Sequence, residues 1–153
     1  MHARQQIREA VKTILSRAPV AWSSVIGSRI ASTMQRWPYL MVFADSEQSD
    51  AVTVNDPCVY DRTLILTVAG MLRLPGTGDT YTIEDKMDEC AAEIETKLTQ
   101  SALRGEVAQV QTLSLVSTSM EVVIEDDGVD HAEVITSWRI GYSTLEGSPE
   151  TLI

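Results

Sequence analysis

With 153 residues, 44% of them apolar, the chain is the size of one domain and can build a hydrophobic core without disulfides or metal. Its 22 acidic residues against 12 basic ones give a formal charge of −10, which argues against a grip on nucleic acid through clustered cations. No apolar run approaches the roughly 20 residues that span a bilayer, and the N-terminal M-H-A-R-Q-Q-I-R-E-A lacks the apolar stretch and cleavage site of a signal peptide.

The spacing predicts a first helix over 2–18. Ile7, Val11, Ile14, Leu15 and Ala18 recur on one face, while Arg4, Arg8, Lys12 and Arg17 face out. That basic face reads as a solvated surface or as a dock for an acidic partner. Pro19 ends the helix. Residues 20–37 fit either a short strand or a turn of helix around Val25, Ile26, Ile30 and Met34, and Pro38 then disfavours a helical Trp37. Tyr39–Phe43 is a continuous apolar run and reads as a buried strand. From Ala44 to Pro57 the chain turns polar, which predicts a long functional or mobile loop, with Val52-Thr53-Val54 able to add a short strand. Val59–Leu72 alternates most clearly: Tyr60, Leu64, Leu66, Val68 and Leu72 point one way, Asp61, Thr63 and Thr67 the other, with Ile65 as the exception. Met71–Tyr81, carrying L-P-G-T-G-D-T, is a second loop.

Thr82–Leu103 is the stretch around which the rest is organised. Met87, Cys90, Ala91, Ile94, Leu98 and Leu103 fall on one helix face, and Glu84, Asp85, Asp88, Glu89, Glu93, Glu95 and Lys97 cover the other. Thr82 is placed to cap the first turn, with Asp85 as its reciprocal partner, and Gly105 is a plausible stop. Val110–Glu125 reads as strand, but Leu113 and Leu115 are in one phase and Val116, Met120, Val122 and Ile124 in the other, so a bulge or break is expected near Ser117 and Thr118. Glu125-Asp126-Asp127-Gly128 signals a hairpin turn. His131–Thr144 is the last strand, with Val134, Trp138, Ile140 and Tyr142 inward, and 145–153 reads as a loose tail. The expected fold class is α+β: a small mixed β-sheet of about four main strands with two helices packed on it, in a single domain over 1–153.

No catalytic constellation emerges. His2 and His131 have no Cys or His at zinc-ligand spacing. There is no G-x-S-x-G. Gly76-Thr77-Gly78-Asp79 lacks the Lys of a phosphate loop and reads as a turn. Asp126, Asp127 and Asp130 could hold calcium but lack EF-hand spacing, so a solvated hairpin tip is preferred. The carboxylate pairs Glu84/Asp88 and Asp85/Glu89 fit a solvated acidic face. Trp22, Trp37 and Trp138 fit core or rim positions. Cys58 and Cys90 are expected to stay free in a cytosolic protein. The sequence points to a protein that acts through its surfaces, with no cofactor or metal site marked in it. The candidate assembly-interface loops carry Asp45, Glu47, Asp50 and Asp56 in the first loop and Arg73 and Asp79 in the second.

Six features in order are R-x-x-I-R-E-A-V, S-S-V-I-G-S-R-I, W-P-Y-L-M-V-F, D-R-T-L-I-L-T-V, D-K-M-D-E-C-A-A-E-I-E and W-R-I-G-Y-S-T. In this pattern, over nearly the whole chain, it resembles the tail terminator proteins of long-tailed bacteriophages, the lambda-type minor tail protein family. The resemblance implies a mixed sheet with helices on it, a hexameric ring and no enzyme activity. It also implies the partners: further copies of the chain, the tail tube protein whose growth the ring stops, and a head completion or connector protein. Genome DNA would pass through the lumen without specific binding. The protein would be made in the host cytoplasm and end at the head-proximal end of the virion tail, with no membrane involved. Head–tail joining and tail completion proteins share the pattern and are the nearest alternative. A small α+β enzyme or ligand-binding domain is a more remote one.

Overall fold

In chain order the elements are α1 (Ala3–Leu15), β1 (Ser24–Ile26), β2 (Tyr39–Ala51), β3 (Val59–Arg73), α2 (Ile83–Lys97), α3 (Gln100–Glu106), β4 (Thr112–Val123), β5 (His131–Leu145) and β6 (Ser148–Leu152). They belong to a computed structural model that describes residues 1–31, 35–76, 78–80, 82–126 and 130–153. The strands form one sheet in the order β1-β2-β3-β5-β4, with β6 added to β5. The β1–β2 pair is parallel and every other pair is antiparallel.

This corrects the expected architecture. The chain is mostly β: a six-stranded sheet curled into a half-barrel carries three helices, in place of a small sheet of four strands with two helices. Three misread stretches account for the difference, together with β1 in the stretch 20–37 that fitted either a strand or a turn of helix. Ser46–Ala51, expected as loop, continues β2 past a bulge at Asp45 and pairs with Tyr60–Ile65 of β3. Apart from Glu47, its polar residues are exposed, as on an edge strand whose side chains meet water. The tail expected over 145–153 turns at Gly147, whose φ of +75° suits glycine, and returns as β6. The single helix expected over 82–103 is two. Leu98 leaves helical geometry, and the Thr99 hydroxyl accepts from the Ala102 amide at 3.1 Å to start α3.

Elsewhere the local signals act as read. The Thr82 hydroxyl accepts from the Asp85 amide at 3.2 Å, and Glu84 and Asp85 sit at the positive end of α2. Helix α1 stops at Leu15, short of Ala18, and the Trp22 indole donates to the Leu15 carbonyl at 2.8 Å. Residues 20–37 supply a strand, β1, and Met34 lies outside the described residues.

Chaining the pairings gives rows that run across the sheet, such as Val42–Val68–Thr136–Thr118 and Ala44–Leu66–Trp138–Leu115. All the β3 and β5 residues of the main core (Leu64, Leu66, Val68, Leu72, Ala132, Val134, Trp138, Ile140, Tyr142) lie on one face. Ile7, Val11, Ile14 and Leu15 of α1, Met87, Cys90, Ala91 and Ile94 of α2, and Leu103 of α3 pack onto it. The polar group at Thr136 in this core is satisfied internally: Trp138 Nε1 donates to Thr136 Oγ1 at 2.8 Å, and that hydroxyl donates to the Val68 carbonyl at 3.1 Å.

Helix α2 approaches the sheet closely at Gly70, where an added Cβ would lie 2.7 Å from Cys90 Sγ. Gly70→Ala is therefore expected to push α2 outward and cost about 1–3 kcal/mol. A urea midpoint equal to that of the parent would show that the thiol swings aside.

Candidate assembly surfaces

Strand β4 is the bare edge of the sheet. It pairs with β5 on one side, and no described strand pairs with the other. Its apolar residues should have been divided between two faces. The ladder shifts between Leu115 and Ser117, as the phase change in the sequence predicted, with Val116 as the extra residue. The shift brings Leu113, Leu115, Met120 and Val122 onto the helix-covered face, opposite Ile140, Trp138, Val134 and Ala132. Leu113 packs against the core, but the cover does not extend to the other three. Leu115 is 38% exposed, Met120 43%, Val122 42%, and Ile124 just beyond the strand 69%. Val116 at the bulge is 46% exposed. The strand T-L-S-L-V-S-T-S-M-E-V-V carries one charged residue, Glu121, and no Lys or Pro. Natural edges are usually blunted by such residues.

The residues expected in assembly loops are scattered. Asp45, Glu47 and Asp50 lie on β2, Arg73 ends β3, and only Asp56 and Asp79 are in connections. Asp45 and Asp50 are exposed. Glu47 faces inward and anchors a polar cluster under the start of α1. Its Oε1 meets Arg62 Nη1 at 2.7 Å, and its Oε2 accepts from the Tyr142 hydroxyl. Arg62 also donates to Thr144 Oγ1 at 2.7 Å and Ser49 Oγ at 3.1 Å, and Arg4 stands 3.8 Å from Glu47. Glu47 and Arg62 side chains are only 8% and 15% exposed, so this pair holds the fold together and does not offer a docking charge. The alternation of the sequence could not show this, because the bulge at Asp45 reverses which β2 residues face in.

The acidic face of α2 is as read: Glu84, Asp85, Asp88, Glu89 and Glu95 are exposed. The basic residues of α1 and of the turn after it are engaged locally, with Arg8 and Lys12 on Glu9 and Arg17 on Glu106. Asp127 lies outside the described residues, and Asp130 accepts from the Glu125 amide at 3.1 Å. Among the described residues no three acidic, His or Cys side chains are grouped to hold a metal, and no helix is long and apolar enough to cross a membrane.

One pocket of about 320 Å³ opens between α2 and the ends of β2 and β3. Trp22, Pro38, Tyr39, Leu40, Leu72 and Cys90 line it, and Arg73, Lys86, Glu89 and Glu93 also border it. Burial, reinforced by Glu93, pushes the Cys90 thiol from its usual 9.0 up to about 12. A thiol held protonated is a poor nucleophile at neutral pH. Burial also raises Tyr142, with its hydrogen bond to Glu47 adding to the shift. Both groups hold their proton more tightly folded than unfolded. Their contribution to stability is therefore complete below pH 9 and is lost as pH climbs toward 12. Urea midpoints measured across that range are expected to fall, and less steeply between their ends for Cys90→Ala. A flat parent profile would contradict the burial of both groups.

No protein-family model matches the chain, and no curated protein matches it.

Proposed function

We propose that this chain is a structural protein of a phage tail, a terminator that closes into a ring on the end of the tail tube. The observation that carries an assembly role is β4: a bare edge strand with exposed Leu115, Met120 and Val122 beside a half-exposed bulge. Soluble proteins leave such an edge open where another chain is to be added. The assignment to a tail terminator comes from the ordered sequence features, from R-x-x-I-R-E-A-V to W-R-I-G-Y-S-T. In this role the ring is six-fold and stops tube growth, and its far face receives the head completion protein. The formal charge of −10 per chain suits a lumen that repels phosphates, so that DNA slides through without counterion-releasing contacts. The test is to add purified protein to tail tubes during polymerisation. Shortened tubes with a ring at one end, together with no duplex DNA binding at low salt, are the expected result. Tubes of unchanged length would reject the terminator, and tight DNA binding that weakens with salt would reject the repelling lumen.

The pocket bordered by Arg73 and Lys86 favours a second reading, a ligand-binding domain, because its volume of about 320 Å³ suits a small ligand. Trp22 lines it, so a change in tryptophan emission on titrating small aromatic carboxylates would support this reading. Silence across such a panel would remove it.

A further inference from the structure

We infer that β4 is completed by a second copy of this chain, which adds the composite edge formed by its β1 and the open half of its β2. This inference rests on the ring reading above and names the seam within it.

The argument begins with strand direction. Successive antiparallel pairings from β2 through β3 and β5 to β4 leave β4 running opposite to β2. Strand β1 is parallel to β2, so it also runs opposite to β4. A copy placed beside the first in the same orientation therefore meets β4 with an antiparallel edge, the more stable ladder. No inversion is needed, and repeating the step is the head-to-tail relation that closes rings.

The two edges also agree in length and shape. Strand β1 covers only Tyr39–Met41 of β2, and no described strand pairs with Val42–Ala51 on that side, while β4 offers Thr112–Val123. Both edges bulge beside one row. The shift in β2 follows Ala44 and the shift in β4 follows Leu115, and these two residues share the row through Leu66 and Trp138. On the receiving copy the Arg29 guanidinium donates to the Ala44 carbonyl at 2.5 Å and stacks 4.8 Å from the Phe43 ring. It thus occupies one acceptor at the bulge while the rest of that edge stays open.

Charge selects the occupant. Copies of a chain carrying −10 repel one another, and β4 is the edge on which an approaching copy meets the least added repulsion. Thr112–Met120 contains no charged residue. A basic partner would instead be drawn to α2. The facing β2 edge carries exposed Asp45 and Asp50, so association between these like-charged bodies should strengthen as salt screens their repulsion.

The experiment uses the full chain with Cys58→Ser, so that buried Cys90 is the only native thiol. Ser46 and Ser114 are exposed and share a row, but β3 and β5 separate them. Three strand spacings put them about 14 Å apart within one chain, beyond the roughly 7 Å that a disulfide spans. Oxidation of Ser46→Cys/Ser114→Cys is therefore expected to give a reducible ladder of multimers on a denaturing gel. Gln48→Cys/Ser114→Cys does the same if the ring is sheared by two residues. Sedimentation of the parent should show the oligomer gaining at high salt. Three results would overturn the inference. The first is a parent that stays monomeric at every concentration and salt. The second is an oligomer that neither pair ladders. The third is Ser114→Cys alone giving dimers as readily as the pairs, which would mean β4 meeting β4. Laddered rings that fail to stop tube growth would reject the terminator alone. Rings that stop growth without laddering would reject the seam alone.

Discussion

Ile94→Asp is expected to leave no folded protein. Ile94 is fully buried on the sheet-facing side of α2, in the cluster with Met87, Cys90 and Ala91. That cluster is built of apolar side chains from both the helices and the sheet. An unpaired buried charge costs several kcal/mol, about the 5–15 kcal/mol by which a domain of this size is stable. The protein is expected in the insoluble fraction or, if soluble, without a cooperative thermal transition. A soluble variant with the parent's melting point would mean that α2 packs through another face.

Glu47→Leu is expected to cost about 3–5 kcal/mol, because it strands Arg62 under α1 with its main counter-charge gone. The loss should exceed what the salt bridge contributes as an intact pair, since Tyr142 would lose its acceptor at the same time. The double variant Glu47→Leu/Arg62→Met removes both charges and is expected to regain part of the stability. Urea midpoints of the two variants and the parent decide the matter. Equal midpoints for Glu47→Leu and the parent would show that the cluster is solvated and contributes little.

These two residues differ in how visible they are in the sequence. Ile94 sits in a stripe of three- and four-residue steps, so its face could be read directly. Glu47 follows Asp45 and Ser46 in a polar run, and polarity there resembles a loop. What turns it inward is the bulge at Asp45 and the pairing with Leu64, both set by strands distant in the chain. The same limit explains the helix break. The step from Leu98 to Leu103 is five residues, one more than a continuous face prefers, and Thr99 stands inside it with a hydroxyl able to cap. The bulge in β4 was legible because the apolar phase itself changes there. Its consequence was not, since whether a helix covers the resulting row depends on where α2 and α3 end. The pocket was equally hidden, because its lining comes from Trp22, Leu40, Leu72 and Cys90, which lie in four different segments.

The sheet order sets a timetable for synthesis. Strand β3 needs β5 beside it, and their pairing joins Val59–Arg73 to His131–Leu145. A chain emerging from the ribosome therefore exposes one side of β3 until most of its length has been made, and such distant pairings form slowly. Strand β4 leaves the ribosome before β5, yet it runs parallel to β3 and reaches the sheet only once β5 has entered between them. An unfinished chain therefore cannot present β4 in place, while the side of β3 that β5 will cover is still open. The β4 edge takes up its place in the sheet only after β5 has been made, so it is set by residues that lie later in the chain.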